Sequence, residues 1–174
     1  MGTELDGAES PSLLQRVLVG GNPRRTLVRI AILVVVAVAV FKFVLQPVRV
    51  DGGSMLPTYR ENGVNVVNRL AYCFHEPRRG DVVAVRMLAG EHRMYMKRVI
   101  GLPGETVAFH EGRLYINGKP QDEPYVKLPC DWEHEPVQVG PDQYYVVGDN
   151  RAMPWDDHTK GRAARDRIIG KVLL

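Results

Sequence analysis

The chain reads as mainly β: an antiparallel β-sheet domain carried on one N-terminal transmembrane helix. Two observations predict this. A single apolar run of bilayer length lies near the N-terminus, and the remainder breaks into short β-rich runs bounded by Gly and Pro, with no long amphipathic helical pattern between them. At 174 residues the chain has room for one domain and an appendage. Hydrophobic residues make up 45% and charged residues 25%, which excludes a wholly disordered protein. A net charge of +3 gives no argument for nucleic acid as a partner.

Residues 1–26 carry few large apolar groups before "LLQRVLV" and read as a cytoplasmic tail. Residues 27–45, "LVRIAILVVVAVAVFKFVL", form the anchor, with only Arg29 and Lys42 charged and both near its ends. About 19 residues of helix reach roughly 28 Å, close to the hydrocarbon thickness of a bilayer. Ala37-Val38-Ala39 has the small-x-small form of a signal-peptide cleavage site, but the apolar run continues past it through Leu45, which favours an uncleaved anchor. Arg16, Arg24, Arg25 and Arg29 cluster before the run and place that end in the cytoplasm, leaving residues 46–174 outside the membrane.

In the outward part "GVNVVNRL", "GDVVAVRML", "HRMYMKRVIG", "ETVAF", "RLYIN", "QYYVVGD" and "DRIIGKVLL" read as strands. Glu111-Gly112 and Asn117-Gly118 are hairpin-turn signals on either side of "RLYI". Cys73 and Cys130 each have a histidine nearby (His75, His134), which leaves a disulfide, a zinc site and free thiols all open.

The chemistry centres on "VDGGSMLPTYREN". Gly52 and Gly53 before Ser54 permit a sharp, exposed turn of the kind that presents a nucleophile. A serine attacks only when a base removes its proton. Five histidines are available, at 75, 92, 110, 134 and 158, and none sits in a nucleophile signature. Lys97 is the other choice. In a strand it shares a face with Tyr95 and Val99, while Arg98 points the opposite way with Met94 and Met96. An apolar face can desolvate the ammonium and lower its pKa by some three units, at about 1.4 kcal/mol each.

Four ordered motifs resemble those of bacterial type I signal peptidases, membrane-anchored Ser/Lys endopeptidases. They are Ser54-Met55-Leu56-Pro57-Thr58, Arg79-Gly80-Asp81-Val82-Val83, "KRVIGLPGE" from Lys97 to Glu105, and Gly148-Asp149-Asn150-Arg151. The resemblance implies a signal-peptidase/LexA-like catalytic domain over 46–174. It implies Ser54 as nucleophile, Lys97 as general base, and Arg98, Asp149, Arg151 and Asp156 as an ionic scaffold behind the lysine. No metal or organic cofactor is implied. The implied partners are exported preproteins with small residues before the cleavage site, the lipid bilayer and a secretion translocon. Two positions depart from the pattern. Pro154 stands where relatives place a serine that bonds the lysine, and His158 stands where an arginine pairs with the aspartate matched by Asp156. These departures raise one rival to a general signal peptidase, a weakened, non-catalytic membrane-anchored relative; beside it stand a processing peptidase dedicated to pilins or a conjugation apparatus, and a self-cleaving Ser/Lys repressor, whose DNA-binding segment the membrane span replaces.

Overall fold

The computed structural model of the chain describes residues 22–50, 52–86 and 94–173. Expectations for the tail through residue 21 and for His92 lie outside these residues. The chain divides into two compact units, Met1–Val40 and Phe41–Leu174.

Helix α1 (Pro23–Phe43) supplies the first unit with its apolar rod. Pro23 opens it, where a missing N–H costs nothing, and the Asn22 side chain accepts from the Arg24 N–H at 3.2 Å as an N-cap. None of its residues is buried, and its apolar side chains are exposed all round. A helix of this length and hydropathy can cross a bilayer, and burial in lipid accounts for a rod with no packed face. The apolar run outlasts the helix. Leu45 already belongs to strand β1 (Leu45–Arg49), which pairs in register with β2 (Val64–Asn68). Composition alone does not separate the two, because strand and membrane helix draw on the same apolar side chains.

The second unit is built on two antiparallel sheets. The larger joins β1 and β2 to β3 (Val82–Arg86), β4 (Met94–Gly101), β9 (Gln143–Val147), β10 (Gly161–Ala164) and β11 (Ile168–Leu173), in the order β1-β2-β11-β3-β4-β9-β10. The smaller is ordered β7-β6-β5-β8, from β5 (Thr106–His110), β6 (Arg113–Ile116), β7 (Lys119–Pro120) and β8 (His134–Gln138). Both hairpin signals appear as turns: Glu111 and Gly112 have φ of 48° and 73°, Asn117 and Gly118 of 52° and 74°. Positive φ at both central residues matches the right-handed twist of the strands they join. Strands β8 and β10 have no counterpart among the expected runs. "HEPVQ" is polar and half exposed, and "GRAA" carries little β preference, so neighbours rather than composition make them strands.

Strand β4 lies in the interior of the larger sheet between β3 and β9, and its alternation is as expected. Tyr95 and Val99 pack with Val83, Val85, Tyr144 and Val146, whereas Met94 and Met96 pack with Met55, Tyr59, Val67 and Val172. A further cluster joins the sheets: Phe109, Leu114, Ile116 and Trp132 pack against Ile100, Tyr145 and Val147. At this junction β4 ends in Gly101. A Cβ there would lie 2.5 Å from Val107 Cγ2 and 2.9 Å from Tyr145 Cβ. Gly101→Ala should therefore cost about 1–3 kcal/mol through overpacking, read as a lowered urea midpoint at unchanged slope.

Candidate active site

The stretch from Gly52 to Tyr59 is a tight series of turns between β1 and β2. Leu56 N–H donates to the Gly53 carbonyl at 3.2 Å and Tyr59 N–H to the Met55 carbonyl at 3.0 Å. Met55 (1% exposed) and Tyr59 are driven into the core beneath the sheet, which leaves Ser54 half-buried above them. Gly52 adopts φ of 89°, the conformation that the glycine pair was expected to permit.

Lys97 projects from β4 to this turn. Its Nζ lies 2.5 Å from Ser54 Oγ, and the residue is only 2% exposed. Burial pulls the ammonium pKa down to about 8, while the Asp149 carboxylate works in the opposite direction. This is the environment a basic amine needs. Lys97 and Ser54 are thus within proton-transfer distance, with the lysine in a setting that favours its neutral form.

Behind Lys97, Arg98 leaves the opposite face of the strand. It donates through Nε (2.8 Å) and Nη2 (2.6 Å) to the two oxygens of Asp149 and through Nη1 to the Gly80 carbonyl at 2.6 Å. Asp149 is wholly buried and also accepts from Thr58 Oγ1 at 2.6 Å. One carboxylate therefore ties β4, the end of β9 and the nucleophile turn together. Asn150 adds two backbone ties, its N–H donating to the Ser54 carbonyl (3.0 Å) and its Nδ2 to the Gly53 carbonyl (2.9 Å).

Arg151 is also fully buried, and its partner is Glu123. Nη1 and Nη2 donate to the two carboxylate oxygens at 2.8 and 2.6 Å, and Nε donates to the Gly148 carbonyl at 3.0 Å. The guanidinium lies over Phe109 and Trp132 at 5.3 and 5.5 Å. Asp156 is not brought to this cluster. It is exposed, in a short 3-10 turn at Trp155–Asp157, where its charge faces Lys160. Pro154 caps that turn with no side-chain hydrogen bond.

Among the described residues no histidine hydrogen-bonds Ser54 Oγ, whose partner is Lys97. His75 and His134 bond neighbouring carbonyls, and His110 pairs with Glu133 at 2.7 Å on the surface. His158 is buried with its Nε2 3.2 Å from the Asn150 carbonyl, and burial, reinforced by the nearby Lys97, lowers its pKa to about 4. Cys73 and Cys130 are not joined, the first exposed and the second half-buried.

A family model described as signal peptidase, peptidase S26, matches residues 24–174. The chain belongs to that family. Signal peptidase I of Leptolyngbya laminosa is 37% identical over 152 residues, 83% of this chain and 75% of that protein. Signal peptidase I of Bacillus amyloliquefaciens is 40% identical over 152 residues, 81% of this chain and 80% of that protein. Signal peptidase I S of Bacillus subtilis is 39% identical over 153 residues, 81% of this chain and 82% of that protein. Membership makes the protein a serine peptidase, and α1 is consistent with membrane anchoring.

Sequence reasoning missed Glu123, Tyr125 and Thr58. Thr58 had a signal, since it closes the quoted "SMLPT". Nothing local marks Glu123 or Tyr125, whose ring lies 4.0 Å from the Arg98 guanidinium and whose hydroxyl donates to Glu123 at 2.6 Å. The Arg151–Glu123 side chains are 0% and 9% exposed. Glu123→Gln should leave a buried, uncompensated guanidinium and destabilise the peptidase by about 3–5 kcal/mol, measurable by urea unfolding.

Proposed function

We propose that this signal peptidase hydrolyses exported preproteins through a Ser54–Lys97 dyad on the outer face of the membrane. The observation that carries the reading is the 2.5 Å approach of Lys97 Nζ to Ser54 Oγ in a site where the lysine is 2% exposed. Neutral Lys97 removes the Ser54 proton as Oγ attacks the scissile carbonyl, and the tetrahedral oxyanion is held by backbone donors that include the Ser54 N–H. The lysine, now protonated, gives its proton to the leaving amine, and the peptide C–N bond breaks. Lys97 then takes a proton from water, which attacks the acyl-enzyme carbonyl and frees Ser54.

Arg98 and Asp149 act as a scaffold. Their bidentate pair fixes the strand from which Lys97 projects and, through Thr58, the turn that carries Ser54. Arg151, paired with Glu123, supports the Gly148–Asn150 segment from behind. The residues before α1 form the cytoplasmic tail, α1 is the anchor, and the sheets from β1 onward form the extracytoplasmic catalytic domain, as the arginine cluster around the start of α1 supports. Ser54 is eleven positions beyond Phe43, so even an extended chain keeps it within about 40 Å of the anchor's end. That suits a peptide bond just outside a substrate's own membrane segment, with small residues before the cut.

The test is cleavage of a preprotein bearing an Ala-x-Ala site by the full chain in detergent. The parent should cleave at that site, and folded Ser54→Ala and Lys97→Ala should each lose on the order of a thousandfold or more in kcat. Because the base must be unprotonated, kcat/KM should rise with pH through about 8 and level off above it. Full activity in either variant contradicts the dyad. Cleavage confined to one narrow class of precursors would indicate a dedicated processing peptidase.

A further inference from the structure

His158 stands where the resemblance calls for an arginine paired to an aspartate, yet no hydrogen bond or ion pair joins it to Asp156. It turns inward, 3% exposed, while Asp156 faces solvent. The imidazole is packed edge-on against Trp132 at a ring separation of 5.1 Å. Trp132 is itself held, its Nε1 donating to the Met153 carbonyl at 2.9 Å. On its other side the imidazole meets Gly148. A Cβ on Gly148 would lie 2.4 Å from His158 Cε1 and 2.1 Å from the Ser54 carbonyl oxygen. The nucleophile's own backbone, Gly148 and the imidazole therefore form a stack with no room for a side chain between them.

The hydrogen bonds run in the same direction. His158 Nε2 faces the Asn150 carbonyl at 3.2 Å, and a carbonyl accepts only, so Nε2 carries the proton. Nδ1 is buried with no hydrogen bond of good geometry, although the Thr159 backbone also bears on the ring, so the tautomer is assigned from the Asn150 carbonyl alone. The Asn150 residue that receives this bond donates in turn to the Ser54 and Gly53 carbonyls. Each link joins the imidazole to the turn that aims Ser54 Oγ at Lys97.

We propose that His158 is a positioning residue of the catalytic centre, a neutral Nε2–H imidazole that wedges the Gly148–Asn150 segment against the Gly53–Ser54 turn. It acts on the reaction through Asn150 and touches no reacting atom. The proposal rests on the Ser54–Lys97 reading for its effect on rate and is independent of it for its effect on structure. A neutral wedge in place of an ion pair leaves the arrangement dependent on shape and one hydrogen bond. Glutamine can place an amide N–H where Nε2–H lies, whereas asparagine is too short and leucine has no donor.

The experiment compares His158→Gln, His158→Asn and His158→Leu in the full chain in detergent micelles, all checked for folding by thermal unfolding. Leucine and asparagine should lower kcat about tenfold or more with KM changed by less than about twofold, and glutamine should return kcat to within about threefold of the parent. Amide exchange at Asn150 should be faster in the leucine variant than in the glutamine variant. In the parent, ¹⁵N NMR of His158 at neutral pH should show the Nε2–H tautomer. Parental kcat in folded leucine and asparagine variants, no recovery by glutamine, an Nδ1–H tautomer or a charged imidazole would each overturn the proposal. A folded parent that cleaves no preprotein counts against the Ser54–Lys97 reading alone, since exchange and tautomer still decide the role of His158.

Discussion

The proposed Ser54–Lys97 dyad depends on the removal of one ammonium group from water. Lys97 sits mid-strand on an interior strand of the larger sheet, 2% exposed and 2.5 Å from Ser54 Oγ. Lowering its pKa from 10.5 to about 8 costs the folded peptidase about 3 kcal/mol at neutral pH. The sign follows from the shift: the unfolded chain keeps the proton up to its higher pKa. The penalty is therefore complete below about 8 and disappears above the unfolded value of 10.5. A sheet packed on both faces can carry that cost, and in the proposed mechanism the cost is what lets the amine act as a base.

The remaining charges are arranged to leave Lys97 in that state. Asp149 opposes the shift, since an unpaired carboxylate nearby would hold the lysine protonated. Its negative charge is instead matched by the Arg98 fork and its other lone pairs by Thr58. Strand alternation makes this possible: consecutive residues send Lys97 to one face and Arg98, the guanidinium that neutralises Asp149, to the other. The adjacency of β4 and β9 then brings the Gly148–Arg151 segment to the same place.

Legibility in the sequence followed the range of each interaction. The turns at Glu111-Gly112 and Asn117-Gly118 and the opposite faces of Lys97 and Arg98 are local, and each could be read from a few residues. The boundary between α1 and β1 could not, because Val44 and Leu45 suit lipid and sheet equally well. Strand β8 exists because β5 offers it partners, as Thr106↔Gln138 and Val107↔Val137 show. In the active site, Ser54, Lys97, Arg98, Asp149 and Arg151 converge, and Asp156 does not. The counter-charge for Arg151 comes from Glu123, 28 positions away in an irregular segment, and no periodicity points to it.

The most direct measurement is the titration of Lys97 itself, followed by NMR in full-length peptidase carrying ¹³C-labelled lysine and assigned by loss of its signal in Lys97→Met. The account predicts a midpoint near 8 in the folded protein that moves toward 10.5 on unfolding in urea. A folded-state midpoint at 10.5 would contradict it, because the neutral lysine able to take the Ser54 proton would then be about three hundredfold scarcer at neutral pH.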